Sequence, residues 1–153
     1  MAVGSADTVN STFEKAHPWL QDLAAAGHFR DEFQAYCGFC TVMHAVRDFL
    51  HADAAAHVGA QLPMLIREMY YDRWDPAAVT VAECTIPNFL EYVRLSLNPG
   101  CEIDPHTAVH AVFRLLDEKI TLGELQNIRQ VLPPELCELW PAPPDSAAPM
   151  ARH

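Results

Sequence analysis

The chain contains no apolar run that approaches the roughly 20 residues needed to span a bilayer. Its first eleven residues have neither the basic start nor the apolar stretch of a signal peptide. Basic residues are scarce as well, because ten Lys and Arg stand against twenty Asp and Glu, which gives a formal net charge of −10. A field of this sign repels phosphate backbones. We therefore expect a cytoplasmic protein that binds neither membranes nor nucleic acid.

The motifs of the common enzyme classes are also missing. The sequence has no Gly-rich phosphate loop, no nucleophile elbow, and no Ser or Cys with an evident base and orienting acid. Its five cysteines are an odd number in a chain of 153 residues, which fits reduced thiols better than a disulfide framework. These absences favour a protein that acts without catalysis and without a resident cofactor.

Strand patterns are lacking, whereas helical periodicity is strong. Residues typical of a strand occur together only at 79–81, a stretch too short to build a sheet. Two apolar stripes instead follow the helical spacing i, i+3, i+4, i+7 and i+11. The first stripe comprises Phe39, Val42, Met43, Val46 and Leu50, and the second comprises Val109, Val112, Phe113, Leu116 and Ile120. Asp31, Asp53, Asp104 and Thr121 are the predicted N-caps, and Thr121 with Glu124 fits a capping box.

The two halves of the chain correspond to each other at a constant separation of 70 residues. Leu62-Pro63 corresponds to Leu132-Pro133, and we call residues separated by 70 positions counterparts. Each copy of a duplicated module has an apolar face that its twin can bury. The predicted fold is all-α, with two tandem four-helix repeats (18–71 and 87–140) packed about a pseudo-twofold axis as one helical bundle. This single domain spans 13–140, between a flexible N-terminus (1–12) and a flexible Pro- and Ala-rich tail (141–153).

Short motifs in both halves resemble a known family. The first half contributes the run Ala-Gln-Leu-Pro-Met-Leu-Ile-Arg at 60–67 and the run Tyr-Tyr-Asp-x-Trp at 70–74. The second half contributes Ala111-Val112-Phe113, Gly123-Glu124 and Leu139-Trp140. Together they are similar to the bacterial family known as domain of unknown function 2267, and the resemblance covers the chain from Trp19 to Trp140. It implies a small, soluble, helical two-repeat domain, and it brings no catalytic residues.

An aromatic cluster lies at the end of the fourth predicted helix. It consists of Tyr70, Tyr71, Arg73 and Trp74. Tyr, Trp and Arg dominate the hot spots of protein interfaces, so this cluster is a candidate partner-binding surface. The alternative is that the rings cap the bundle as core residues. Consecutive aromatics cannot all point inward from one helix face, so at least one ring should reach the surface.

Cys37, Cys40 and His44 lie on one side of the second predicted helix, away from its apolar stripe. Sulfur and imidazole together suit zinc or copper, and two thiols at this spacing could also cycle through a disulfide. A structural zinc site needs four ligands, however, and these thiols lie about two turns in from the predicted N-cap. Buried cysteine also packs as a small apolar side chain, and packing is the interpretation that we favour.

His106 and His110 are spaced at i and i+4, as in helical metal sites. The Glu that would complete a zinc-hydrolase motif is missing between them. His110 is the counterpart of Cys40, so the pseudo-twofold packing could bring the two groups together. Zinc or copper bound by this wider set is therefore the alternative to a cofactor-free protein.

These residues lead to one main hypothesis and one rival. The main hypothesis is a non-enzymatic protein-interaction module that acts through the aromatic cluster, on an unidentified protein partner or as a homodimer. The rival is metal or thiol chemistry at the Cys and His residues.

Overall fold

The computed structural model describes residues 17–25, 29–75, 77, 83–97, 101 and 103–140. Within these ranges the chain forms eight α-helices and no strand, so the predicted all-helical fold is confirmed. The helices are α1 (His17–Leu23), α2 (Glu32–Asp48), α3 (Ala52–Ala60), α4 (Met64–Tyr71), α5 (Ile86–Ser96), α6 (Pro105–Lys119), α7 (Leu122–Val131) and α8 (Pro134–Leu139). The predictions for 1–12, 79–81 and 141–153 lie outside the described residues.

Side-chain caps fix the starts of three helices where the sequence predicts them. The Asp31 carboxylate accepts a hydrogen bond from the Gln34 amide at 2.8 Å, at the start of α2. Asp104 accepts from the Thr107 amide at 2.9 Å, at the start of α6. Thr121 and Glu124 form the predicted capping box of α7. Each cap satisfies a backbone donor that the first helical turn leaves without a partner.

The N-cap prediction for α3 is wrong. His51 is the N-cap of this helix and makes no side-chain cap, while Asp53 lies in the first helical turn.

The two long helices, α2 and α6, form the centre of the molecule and pack against each other. Helix α1 packs against both of them, and so does α5. Helices α3 and α7 form a second pair, joined at the surface by a hydrogen bond of 3.1 Å from Asn127 Nδ2 to Gln61 Oε1. The apolar stripes of α2 and α6 therefore face the interior of one continuous core.

Counterpart residues meet in the middle of this core. The space between them is about 10 Å³, so the side chains fill it nearly completely. Its lining consists of Met43, Val46, Val58 and Leu62, their counterparts Phe113, Leu116, Ile128 and Leu132, and Trp140. Leu62 and Leu132 therefore occupy related environments.

A buried arginine links three helices around this core. Arg47, on α2, is only 5% exposed. Its Nη1 donates to the carbonyl of Tyr70 at 2.9 Å and to that of Asp72 at 2.7 Å, which caps the C-terminal end of α4. Its Nε donates to the Asp48 carboxylate at 2.9 Å, and that carboxylate also accepts from the Tyr92 hydroxyl of α5 at 2.6 Å. One charged side chain thus satisfies acceptors on α2 and at the end of α4.

Asp117 of α6 is the counterpart of Arg47, and it makes a polar link of opposite charge. Its carboxylate accepts from the indole Nε1 of Trp140 at 2.9 Å and lies 3.5 Å from the Arg129 guanidinium. That guanidinium is 5.1 Å from the centre of the Trp140 ring, within the range of a cation–π contact. In each half, therefore, a polar side chain of the long helix contacts a later aromatic residue, through the backbone carbonyl of Tyr70 in the first half and through the indole of Trp140 in the second.

We expect Arg47→Ala to lower the free energy of unfolding by about 3 kcal/mol, because the change leaves the carbonyls of Tyr70 and Asp72 without their buried donor and removes the charged partner of the Asp48 carboxylate. Urea unfolding followed by circular dichroism measures the loss. The matched control is Arg94→Ala, which removes an exposed arginine paired with Glu91 on α5 and should cost less than about 1 kcal/mol. Equal losses in the two variants would contradict a special role for Arg47.

Candidate functional site

Residues 71–74 form a tight turn that ends α4, and we call it the aromatic turn. The Trp74 amide donates to the Tyr71 carbonyl at 2.9 Å. Asp72 has φ −55° and ψ 125°, and Arg73 has φ 61°. These angles match a type II turn, whose third position requires positive φ and favours glycine. An arginine occupies that position, and it is the one non-glycine residue with positive φ in the described part of the chain.

Tyr70 does not belong to this surface, which corrects the prediction that included it. The residue is fully buried, and its hydroxyl donates to the Ala55 carbonyl of α3 at 2.8 Å. Burial also raises the pKa of the Tyr70 hydroxyl. The side chain is thus a core residue that joins α3 to α4, and a partner cannot reach it in this fold.

The other three residues of the predicted surface are accessible. Arg73 is exposed, and Tyr71 and Trp74 are half-buried. The rings of Tyr71 and Trp74 lie 5.0 Å apart, and the Tyr71 ring lies 5.1 Å from that of Tyr70. The aromatic turn therefore presents two adjoining ring surfaces and one guanidinium, while a partner role for them remains a prediction.

Gly59 makes room for the Tyr71 ring. A Cβ at this position of α3 would collide with the hydroxyl and ring of Tyr71. The same end of α3 is capped by Arg67, whose guanidinium donates to the carbonyls of Gly59 at 2.9 Å and Leu62 at 3.0 Å. No sequence motif predicts either contact, although a glycine inside an alanine-rich helix is a signal of close packing.

The aromatic turn is also held from inside. Arg47 binds the carbonyls of Tyr70 and Asp72, the residues on either side of Tyr71. The backbone at the start of the turn is therefore fixed to α2 before any partner binds. The only sequence signal for this contact is an arginine placed directly after the apolar Val46.

The Cys and His residues of α2 are engaged within the fold. The Cys37 thiol neighbours that of Cys101, and burial raises its pKa. Burial raises the pKa of Cys40 to about 12. The Nε2 of His44 donates to the Met69 carbonyl at 2.7 Å, and burial lowers the pKa of His44. At neutral pH these thiols are therefore protonated, and the imidazole is neutral.

His106 and His110 lie together on α6, with ring centres 4.2 Å apart. They line a cleft between α1 and α6. Cys40, the counterpart of His110, neighbours Tyr36 and Cys37 instead. Over the described ranges, no three His, Cys, Asp or Glu side chains are grouped so that they could hold a metal ion. Zinc or copper binding by the predicted set therefore stays a prediction, and elemental analysis of the purified protein is its test.

The eight helices make up a small all-helical domain, and the buried Arg47 holds the aromatic turn in place. The chain matches the sequence profile of a family described as an uncharacterized conserved protein, DUF2267, over residues 16–139. The protein belongs to this family, as the motifs at 60–67 and 70–74 predict. It matches none of the curated proteins with which it was compared. None of the helices described is long and apolar enough to cross a bilayer.

We expect Cys37 and Cys40 to react slowly with iodoacetamide in the native protein at pH 8. A thiol with a pKa of about 12 is ionised in only about one molecule in ten thousand at that pH, and only the thiolate attacks. Mass spectrometry of digests gives the rate at each site. In denaturant all five thiols should react at similar rates, which is the internal control. Native rates equal to the denatured rates would instead favour the thiol-redox alternative.

Proposed function

We propose that this protein is a non-enzymatic protein-interaction module and that it binds its partner through Tyr71, Arg73 and Trp74. The observation that carries the proposal is the left-handed backbone of Arg73, at φ 61°. An ordinary side chain in this conformation costs about 1 kcal/mol relative to glycine. Strain of this kind concentrates at functional sites, where the side chain is needed for something other than stability.

The exposed chemistry of the aromatic turn suits a protein partner. Tyr, Trp and Arg supply large contact areas and directional donors, and they are the residues most enriched in interface hot spots. The two rings of the turn adjoin, and the guanidinium lies in the same turn. The acidic neighbours Asp72 and Asp75 are both exposed and add charge selectivity at the rim.

The aromatic turn is also organised before binding. Arg47 fixes its backbone from the core, and the surface of α3 at Gly59 supports the Tyr71 ring. A partner therefore does not have to order a loose loop, which reduces the entropy lost on association.

We further propose that the scaffold consists of two duplicated four-helix repeats related by a pseudo-twofold axis. Its support is the exchange of contacts between halves: α1 packs against α6 of the other half, while α5 packs against α2. The pairs α2–α6 and α3–α7 join equivalent helices. The counterpart of the aromatic turn in the sequence is Pro-Ala-Pro-Pro at 141–144, so only the first repeat supplies the binding surface.

Replacing Arg73 by glycine should stabilise the fold. We expect Arg73→Gly to raise the free energy of unfolding by about 1 kcal/mol over Arg73→Ala, because alanine keeps the φ strain and glycine releases it. Both variants lose the guanidinium, so the difference between their free energies of unfolding reports the backbone strain alone. Urea unfolding measures both free energies. Equal stability of the two variants would remove the observation on which the proposal rests.

Partner contact is tested by site-specific photo-crosslinking in the cell. A benzophenone side chain at Asp75, which is exposed beside the turn, should give one dominant protein adduct, and the same group at the exposed Leu95 should not. Trp74→Ala should reduce the adduct at least about tenfold without unfolding the protein. The mass of the adduct tells whether the partner is a second copy of this chain or another protein.

Two results would contradict the proposal. One is an adduct at Asp75 that is no stronger than the adduct at Leu95. The other is unfolding of the Trp74→Ala variant, because the ring would then be part of the core rather than of a binding surface. Gly59→Ala provides a further check. It should displace the Tyr71 ring, although the amino-acid sequence of the aromatic turn stays the same.

A further inference from the structure

A cleft of about 630 Å³ lies between α1 and α6. Its size falls in the range of pockets that bind small molecules. Side chains of both helices line it, and none of the lining residues belongs to the aromatic turn. The cleft is therefore independent of the surface proposed above.

One wall of the cleft is a row of basic side chains. His106, His110 and Arg114 are spaced at i, i+4 and i+8 on α6, which places them on the same helix face. Among the residues that the structure describes, no carboxylate lies within ion-pair distance of any of the three.

The acidic residues near the row are largely occupied elsewhere. Asp22 binds Lys119 Nζ at 2.5 Å, and Asp104 caps α6 through Thr107. Glu118 is the other carboxylate in the lining. The basic row therefore makes no ion pair within the described residues, although Asp22 and Glu118 also line the cleft and Asp104 lies near His106.

The base of the cleft is apolar. Leu23, Ala111 and Leu115 line it, and they are 1%, 7% and 3% exposed, respectively. The cleft thus combines an apolar surface with cationic donors, as expected of a site for an amphipathic ligand.

The two imidazoles are arranged for an anion rather than for a metal ion. Their rings are tilted by 41° with centres 4.2 Å apart, so each repels the other when both are protonated. Burial and the neighbouring His106 accordingly lower the pKa of His110. A bound anion would relieve this repulsion, whereas a metal cation would meet the Arg114 guanidinium and find no third ligand grouped with the pair in the described residues.

We propose that the α1–α6 cleft binds a small organic anion, whose carboxylate or phosphate contacts His106, His110 and Arg114 and whose apolar part packs on Leu23, Ala111 and Leu115. Charge-assisted hydrogen bonds from guanidinium and imidazolium hold the anionic group. The apolar base of the cleft selects an organic anion over an inorganic one.

The test titrates the full chain with four probes at pH 6 and monitors the histidine ring signals by NMR. Benzoate and phenyl phosphate carry both charge and ring, benzamide carries the ring alone, and inorganic phosphate carries the charge alone. We expect saturable shifts of His106 and His110 with benzoate or phenyl phosphate, and binding at least about tenfold weaker for benzamide and inorganic phosphate. If benzoate binds more tightly than phenyl phosphate, the anionic group of the ligand is a carboxylate, and the opposite order indicates a phosphate.

An anion such as benzoate should favour charged imidazoles over neutral ones, so its affinity should fall as the pH rises. The charged groups facing them are Arg114 on α6, Asp104 at its start, Glu118 further along it, and the Asp22–Lys119 pair reaching from α1. Arg114 stays charged over this range, so weak binding should persist at high pH.

Arg114→Gln should weaken benzoate binding about tenfold or more, since it removes the permanent charge of the row. Arg114 is exposed, so the variant should fold normally. Arg94→Gln on α5 and His57→Gln on α3 are the matched controls, and they should bind as the unmodified chain does. The proposal is overturned by equal affinity for benzamide, by equal losses in the controls, or by the absence of saturable shifts. Tight Zn²⁺ binding by the same imidazoles without any response to the anions would also overturn it, because it would assign the cleft to a metal.

Discussion

Arg47 carries a permanent positive charge at a position where only 5% of the residue is exposed, so water cannot solvate it there. Two carbonyls at the end of α4 and the Asp48 carboxylate replace that water. The negative end of the α4 dipole makes those carbonyls suitable partners for a cation. Because the acceptors reach the guanidinium only when α4 is docked in one position, this contact fixes where the aromatic turn emerges from the core.

The second half of the chain also links its long helix to an aromatic residue, but through different atoms. Asp117, the counterpart of Arg47, accepts a hydrogen bond from Trp140, which stacks on Phe113 with ring centres 4.3 Å apart. A polar link between the long helix and the counterparts Tyr70 and Trp140 is therefore present in both halves, with the charge of the linking side chain reversed. Under the proposed duplication, the two repeats share this packing requirement but differ in the four residues that begin at position 71 and at its counterpart, position 141. The first repeat has Tyr-Asp-Arg-Trp at 71–74, and the second has Pro-Ala-Pro-Pro at 141–144.

The helices and the apolar core could be predicted because they depend on local residues: caps at Asp31, Asp104 and Thr121, and stripes with helical spacing. The burial of Tyr70 could not, because neighbouring aromatics on a helix differ by about 100° and the inward choice depends on α3. The acceptors of Arg47 are backbone carbonyls, which leave no pattern in the sequence. The histidine pair was predicted, but the cleft that it lines depends on how α1 packs.

Most departures from ordinary stability rules lie at the surface. The core has apolar residues at its helical positions, and its buried Arg47 donates three hydrogen bonds. Among the described side chains, one buried polar atom has no hydrogen-bond partner, the Nε of Arg129. At the surface, the exceptions are the left-handed backbone of Arg73 and a basic row that makes no ion pair within the described residues, and both are accessible to other molecules. Local conflicts that remain in an otherwise consistent structure are expected at functional sites, because a ligand or partner can relieve them while folding cannot. We therefore expect function at two separate surfaces of this domain, one aromatic and one cationic.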